Sequence, residues 1–274
     1  MSYYLDKIEI LKKLFGSIEI KNDNININNQ KFKIINDVII LNDLEIETDI
    51  KKLKTVKSFS FEWKMFNKIH KDNLNEFNDY FDQVNLIDIE DKIFADFGCG
   101  MGRWTKILND QVSPKFNILI DYSDAIFEAR KNLKNLKNCI FIKADLEKID
   151  FNSKVIDFFI CLGVLHHIPN GPEKSLQNIS KSSKKGLCYL YYNFEKKNGF
   201  FKFIFTLTNY LRIIISNIEN KIVRTFLVHL LTIFLYYPFI LSSRVFDKFG
   251  LNSSNIPLNY YVKSKYDRIL QDCY

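Results

Sequence analysis

Glycine and proline are scarce in this sequence, with 9 Gly and 5 Pro among 274 residues. Their scarcity argues against long disordered stretches. The five cysteines include no Cys-x-x-Cys pair, which excludes the common zinc spacing and offers no disulfide framework. Three of them lie in apolar, strand-like runs, as reduced thiols do, so we expect a cytoplasmic protein. The N-terminus mixes charged and apolar residues at helical spacing and lacks the uninterrupted apolar core of a signal peptide.

Positive charge is concentrated in the C-terminal third. The chain has a net charge of +7, and from Lys181 onward 14 Lys and Arg stand against 5 Asp and Glu. That segment therefore carries +9 and the remainder −2. Such a basic, apolar region favours an acidic partner, such as a phosphorylated substrate, an anionic lipid or nucleic acid. A solvated lysine-rich face would have the same composition.

The pattern of apolar runs divides the chain into three parts. Residues 1–90 predict a helix and short alternating strands, an N-terminal appendage. In residues 91–195, apolar runs alternate with amphipathic helical stretches, which is typical of a parallel sheet covered on both faces. Residues 196–274 predict an apolar, basic helical region. We therefore predict an α/β fold: a Rossmann-like, mostly parallel sheet with helices on both faces, a small β-rich N-terminal appendage and a C-terminal apolar helical region.

The segment IFADFGCGMGRWT, residues 93–105, predicts a ligand site at the end of the first core strand. Glycines recur at 98, 100 and 102, and a helix is expected from about Arg103. Where a strand turns into a helix, bare backbone lets a ligand approach, and the helix N-terminus offers amide donors. Dinucleotide sites need a third glycine at position 103, where Arg stands, so a nicotinamide or flavin site is disfavoured.

Acidic residues end the next two predicted strands. NILIDYSDA places Asp121 about twenty residues after the glycines, where a carboxylate can accept hydrogen bonds from ribose hydroxyls. FIKADLEKIDF places Asp145 after the third strand, and VIDFFICLGVLHHIPN supplies a fourth strand with a loop beyond it. Because the carboxyl ends of parallel strands share one edge of the sheet, these residues should line one site.

In this order and spacing the motifs resemble class I S-adenosylmethionine-dependent methyltransferases. GCGMGRWT, DYSDAIFEARKNL and LGVLHHIPN are similar to the methyltransferase type 11 and quinone-biosynthesis-like group, and IINDVIIL…SFSFEW resembles a leader in a subset of that group. The resemblance covers about residues 30–195. It implies methyl transfer from S-adenosyl-L-methionine to a small molecule, which is lipid-linked, sugar-type or quinone-like. It also implies a set of cofactor-binding residues: Asp96, Gly98, Cys99, Gly100, Gly102, Asp121, Tyr122, Asp145, Leu146 and Leu162.

The loop after the fourth strand contains the one candidate catalytic residue, His166. The resemblance places this loop beside the substrate, and an imidazole with a pKa of about 6.5 can take a proton from an attacking hydroxyl. A loop histidine bonded to backbone is the simpler alternative. Adjacent His166 and His167 cannot easily share one metal ion, and no further ligands are spaced nearby, so we predict no metal site.

Three questions stay open at this stage. A nucleic-acid methyltransferase is disfavoured, because Leu162-Gly163-Val164-Leu165 stands where enzymes that methylate base amines resemble one another in a (D/N)PP(Y/F) tetrad. A cofactor-binding but inactive protein is the other alternative. The aromatic stretch 58–66 predicts either a packing cluster or part of a lid. The uncharged run 225–243 predicts a buried helical lid, a peripheral membrane contact or a membrane span.

Overall fold

The structure, a computed structural model, describes residues 3–42, 47–70, 73–190, 197–218, 220–262 and 264–273. It forms two compact units, Met1–Tyr191 and Tyr192–Tyr274. The first unit therefore contains both the predicted N-terminal appendage and the predicted core. Each unit is considered separately below.

The described part of the first unit contains a mixed sheet and the helices that cover it. Its strands are β1 (Ile18–Lys21), β2 (Asn24–Ile27), β3 (Gln30–Ile35), β4 (Val38–Ile40), β5 (Ile93–Phe97), β6 (Phe116–Asp121), β7 (Cys139–Lys143), β8 (Ile156–Leu162) and β9 (Ser183–Tyr189). Its helices are α1 (Ile8–Phe15), α2 (Ile50–Met65), α3 (Asn73–Tyr80), α4 (Arg103–Asn109), α5 (Ala125–Asn132) and α6 (Glu173–Ser182).

The strands form one sheet in the order β1-β2-β3-β4-β7-β6-β5-β8-β9. Strands β5 to β9 are all parallel, as their consecutive apolar residues predict. Strands β1 to β4 form an antiparallel meander, and β4 joins the core by parallel pairing with β7. The N-terminal strands thus extend the central sheet. The predicted α/β fold with a Rossmann-like, mostly parallel sheet is confirmed.

The core lies on both faces of this sheet. Successive side chains of a strand point to opposite faces. Ala95 and Ile118 pack on one face with residues of α1 and α6, whereas Phe94 and Leu119 point to the other face, toward α3, α4 and α5. All four side chains are fully buried. This two-sided burial explains why the core strands are apolar at consecutive positions.

The second unit is helical throughout its described residues. Its helices are α7 (Gly199–Ser216), α8 (Lys221–Leu231), a π-helical stretch (Thr232–Tyr236), α9 (Tyr237–Lys248) and α10 (Tyr266–Cys273). From α8 to α9 the chain is one continuous helix. The apolar helical region predicted from the sequence is therefore present. The described residues after β9 contain no strand.

Candidate functional site

The glycine segment forms a turn at the carboxyl end of β5. Gly98, Gly100 and Gly102 have φ angles of 76°, 54° and 79°, in the left-handed region that glycine adopts without strain. The amides of Gly98 and Cys99 donate to the Ile120 carbonyl of β6 at 2.7 and 3.0 Å. These bonds hold the turn against the neighbouring strand, and α4 begins directly after it at Arg103, as predicted.

Two of these glycines make room for different neighbours. A Cβ at Gly100 would lie 3.1 Å from the Trp63 indole, so the indole lies directly against bare backbone. A Cβ at Gly102 would lie 2.9 Å from Leu133 and 3.2 Å from Ala129. Gly102 therefore allows the end of α5 to pack against the turn, whereas Gly100 faces the aromatic side chain of another helix.

Asp121, the last residue of β6, points at the glycine turn. Its Oδ2 accepts the Gly100 amide at 2.8 Å, and its Oδ1 accepts the amide and hydroxyl of Ser123 at 2.8 and 2.6 Å. Burial raises the pKa of Asp121, and the bonds from Ser123 and Gly100 oppose the rise. The next residue, Tyr122, donates its hydroxyl to Glu47 at 3.1 Å. The ribose contact expected of Asp121 stays a prediction.

Asp96 lies beneath the turn in the body of the sheet. Its side chain is buried, and Oδ2 accepts the Thr105 hydroxyl of α4 at 2.8 Å. Burial raises the pKa of Asp96 to about 7, and the bond from Thr105 partly offsets the rise. Burial also raises the pKa of the neighbouring Cys99 thiol well above its usual value. In this structure Asp96 links β5 to α4, and Cys99 is a buried thiol.

Asp145, which follows β7, is held by a lysine of the N-terminal region. Its Oδ2 lies 2.6 Å from the Lys52 ammonium, which also pairs with Glu147. Burial disfavours the charge on Lys52, but its hydrogen bonds with these two carboxylates outweigh that effect and raise its pKa. Leu146 is buried, and its carbonyl accepts from Asn178 at 2.9 Å. The adenine contacts expected of Asp145 and Leu146 stay predictions.

The loop after β8 holds the histidine pair in a single 3-10 turn, Leu165–His167. Both histidines are exposed as residues, with ring centroids 4.1 Å apart, and desolvation of the covered part of the His166 ring lowers its pKa. The preceding residue Val164 lies against Gly98, where a Cβ would come within 2.3 Å of it. Leu162, the last residue of β8, is half-buried on the sheet face beneath α3 and α4.

Helix α2 contacts the loops that follow all four of these strands. Lys52 reaches the loop after β7 and Trp63 the loop after β5, as described above. After β6, the Ser60 hydroxyl accepts the Asp124 amide at 2.9 Å. After β8, the Phe59 ring stands edge-on to His167 at 4.9 Å. The aromatic stretch 58–66 thus lies largely within a helix that runs along the carboxyl edge of the parallel strands.

The polar residues of α2 carry no local signature of a site. Lys52 lies in the segment IKKLKTVK, which has the composition of a solvated helix face. The one local signal is Asp49, whose side chain accepts the amides of Lys51 and Lys52 and so caps the helix. That signal marks where α2 begins, but it says nothing about the partner of Lys52. Among the described residues, no group of three or more His, Cys, Asp or Glu is placed to hold a metal ion.

Comparison with protein families identifies the part of the chain that carries this site. Residues 94–186 match the family model described as a methyltransferase domain. The matched segment contains the glycine turn, both strand-end acids and the histidine loop. S-adenosyl-L-methionine is therefore the expected cofactor. No curated protein matches the chain.

Several solved methyltransferases align with part of this chain. A SAM-dependent methyltransferase from Aquifex aeolicus aligns over 46% of this chain and 67% of its own, with 21% identity and a TM-score of 0.40. Magnesium protoporphyrin IX methyltransferase from Synechocystis aligns over 50% of this chain and 74% of its own, with 17% identity and a TM-score of 0.40. Phosphoethanolamine N-methyltransferase 1 from Haemonchus contortus is matched over only 31% of its length, at 14% identity and a TM-score of 0.39.

The residues at the turn fit an adenosyl cofactor in their chemistry. Gly100 presents backbone without a side chain, and the Asp121 carboxylate lies beside it at the end of the adjacent strand. A nucleoside hydroxyl would find an acceptor in Asp121, whereas an amine group would have to share Asp145 with the Lys52 ammonium. In this structure the indole of Trp63 lies where Gly100 is bare. A cofactor against that glycine must share the space with the indole or displace it.

Proposed function

We propose that this protein transfers the methyl group of S-adenosyl-L-methionine to a small-molecule acceptor. The observation that carries the proposal is the hydrogen bond between the Gly100 amide and the Asp121 carboxylate, 2.8 Å long. It joins the two features that the chemistry requires at one place: bare backbone at a strand-to-helix turn, and an acid on the next strand. The methyltransferase-domain match over residues 94–186 supports the same reaction.

Such a reaction requires little acid–base chemistry from the protein. The bound cofactor would supply a methyl group already activated on a sulfonium. The chain would hold the nucleoside with Asp121 and Asp145 and exclude water with the apolar and aromatic residues of α2. Positioning of two reactants contributes about 7–11 kcal/mol in well-oriented systems. The Gly98 and Cys99 amides bond the turn to the Ile120 carbonyl of β6, and these bonds would hold the turn in place beside the bound cofactor.

We further propose His166 as the group that takes a proton from the acceptor. The residue is exposed on the loop after β8, at the same edge of the sheet as the glycine turn. Partial burial lowers its pKa, which favours the neutral, proton-accepting imidazole at neutral pH. A positioned general base contributes about 10²–10⁴-fold in rate.

For the acceptor, we propose a lipid-linked, sugar-type or quinone-like molecule handled in the cytoplasm. The similarity of GCGMGRWT, DYSDAIFEARKNL and LGVLHHIPN to the methyltransferase group that includes quinone-biosynthesis and many small-molecule enzymes supports this class of acceptor. The chemical state of the cysteines supports the compartment: all five lie among the described residues, and none of them forms a disulfide. Radiolabelled methyl transfer into cell extract tests the acceptor class. Label should partition into organic solvent for a lipid or quinone and into water for a free sugar, whereas label precipitating with nucleic acid would contradict the proposal.

Titration calorimetry with S-adenosyl-L-methionine tests cofactor binding. The full chain should bind it saturably, and Asp121→Ala should weaken binding about tenfold or more, the loss expected for removing a charged hydrogen-bond acceptor. Asp79→Ala, which removes an exposed acid of α3, is the matched control and should bind as wild type does.

Two results would overturn the proposal. One is a folded wild-type protein that gives heat with NADH but none with S-adenosyl-L-methionine. The other is unchanged affinity in a folded Asp121→Ala protein, because the acid of β6 would then have no part in binding.

A further inference from the structure

Exposed apolar side chains are concentrated in the second unit. Among the described residues, 23 large apolar side chains are exposed, and 16 of them lie between Phe200 and Tyr260. Scattered exposed apolar residues are normal on a soluble protein, whereas contiguous ones mark a surface that binds a partner or a membrane. The distribution therefore points to a contact surface on this unit.

Helix α7 is apolar on two opposite faces. One face packs inside the unit through Phe201, Ile204, Thr208 and Ile215, which are buried. The exposed apolar residues recur at intervals of three, four and seven, so they form a second stripe along the helix. That stripe comprises Phe200, Phe203, Tyr210, Ile213 and Ile214, which are between 46% and 63% exposed. A helix that is apolar on both faces needs an apolar environment on each.

The continuous helix Ile222–Lys248 repeats this arrangement over 27 residues. By length and composition it could cross a membrane, with a mean hydropathy of 1.7 in its most apolar window, yet only 28% of that window is buried. Residues 225–243 contain no Asp, Glu, Lys or Arg. Six of its exposed apolar residues follow helical spacing, and Val223 and Phe246 are exposed as well; the six are Ile222, Phe226, Ile233, Phe234, Leu241 and Val245.

The opposite face of the same helix is already occupied by its own unit. Val228, Thr232 and Tyr236 are buried, and the His229 ring bonds the Tyr266 hydroxyl of α10 at 2.6 Å. A helix that crosses a bilayer on its own is surrounded by lipid and has no face packed against other protein residues. With one face packed and one exposed, this helix suits a position along a membrane surface.

Charge indicates which kind of surface would attract the unit. Residues 192–274 carry 11 Lys and Arg against 5 Asp and Glu, a net charge of +6, whereas the first 191 residues carry +1. The exposed Lys248 lies beyond the uncharged run, whereas the Arg244 guanidinium donates to the carbonyls of Val262 and Ser264 within the unit. Basic side chains beside an apolar stripe are complementary to an anionic lipid bilayer, whose head groups pair with the cations while the stripe enters the acyl boundary.

We propose that the second unit binds the surface of an anionic lipid bilayer through the exposed stripes of α7 and Ile222–Lys248. The unit lies in the interface and does not span the membrane. This inference goes beyond methyl transfer and does not depend on it, since it uses no residue of the methyltransferase domain.

Vesicle flotation of the full chain tests the proposal, without any cofactor. The protein should float with phosphatidylcholine vesicles that contain phosphatidylserine, and much less with pure phosphatidylcholine. High salt should weaken the binding, because the attraction between surface charges is screened. Alkaline carbonate should strip the protein from the vesicles, whereas resistance to extraction would indicate a spanning helix and contradict the proposal.

Two pairs of matched variants assign the contact. Phe234→Glu, at a side chain 74% exposed, should reduce vesicle binding about tenfold or more. Ile87→Glu, at a side chain 76% exposed in the first unit, should not change it. Lys248→Glu should reduce binding to phosphatidylserine vesicles about fivefold or more, and exposed Lys31→Glu should leave it near wild type. The lysine pair keeps the test decisive if Phe234→Glu fails to fold.

Other occupants of the apolar stripes would give different results. If a second copy of the chain covers them, sedimentation velocity will show a dimer that Phe234→Glu dissociates, and the protein will not float. Failure of the wild type to float with phosphatidylserine vesicles at low salt overturns the proposal in every case.

Discussion

Replacing Asp96 by Asn should change how stability depends on pH. The Asp96 carboxyl is 1% exposed, and burial raises its pKa from 3.8 to about 7. In the folded protein the Asp96 carboxyl therefore keeps its proton up to a higher pH than in the unfolded chain. This difference contributes to the free energy of unfolding at acidic pH, and the contribution is lost as the pH rises toward 7. Asn is neutral at every pH, and its carbonyl can still accept the Thr105 hydroxyl, so Asp96→Asn removes the pH dependence and keeps the hydrogen bond.

The size of the effect follows from the shift in pKa. One pKa unit corresponds to about 1.4 kcal/mol, so the stability of wild type relative to Asp96→Asn should fall by about 2–3 kcal/mol between pH 5 and pH 8. Urea unfolding of both proteins at several pH values, followed by circular dichroism, measures this difference. Asp79→Asn, at an exposed site, is the control and should show no such trend. A difference between wild type and Asp96→Asn that is constant with pH would refute the burial of a protonated carboxyl beneath the turn.

Two further substitutions test the turn and the helix that lies beside it. Gly100→Ala should lower the free energy of unfolding by about 1–2 kcal/mol because of its positive φ, and by a further amount because its Cβ would lie 3.1 Å from Trp63. The control Gly250→Ala, with φ 68° and no atom within 4 Å of its Cβ, measures the cost of the positive φ alone. Equal losses of stability for the two variants in urea unfolding would contradict the contact with Trp63. Lys52→Met should lower the free energy of unfolding by about 3 kcal/mol, because it leaves the carboxylates of Asp145 and Glu147 without their buried cation. Adding Asp145→Asn should recover part of that loss in thermal melts. A Lys52→Met protein as stable as wild type would contradict the ion pair.

The glycine turn and the acid beside it can be placed from the sequence because their determinants are local; their role in binding a cofactor stays a prediction. Three glycines at a strand end and an acid at the end of the next strand are all read from short motifs. Parallel pairing of β5 and β6 then brings Asp121 to Gly100 without further information. The same reasoning predicts the parallel core from its apolar runs. Where geometry follows from strand order alone, sequence patterns suffice.

The covering of the site could not be predicted, because it depends on contacts between distant segments. Lys52 meets Asp145, 93 residues further along the chain, and nothing in IKKLKTVK distinguishes it from a solvated lysine. Likewise, the short alternating strands of the N-terminal region do not reveal that β4 pairs in parallel with β7. In the sequence, the stretch containing Trp63 stands out only by its aromatic residues, which predict a packing cluster as well as part of a lid. The narrower methyltransferase subgroup and its leader stay predictions.

Trp63 fluorescence during titration with S-adenosyl-L-methionine tests most directly whether the cofactor binds against the bare backbone of Gly100. The indole lies at that glycine, and the only other tryptophan, Trp104, is 6% exposed in the core. Binding should change the emission saturably in wild type, and Trp63→Phe should abolish the change while calorimetry still detects binding. Binding seen by calorimetry with unchanged Trp63 emission would place the cofactor elsewhere and contradict this account.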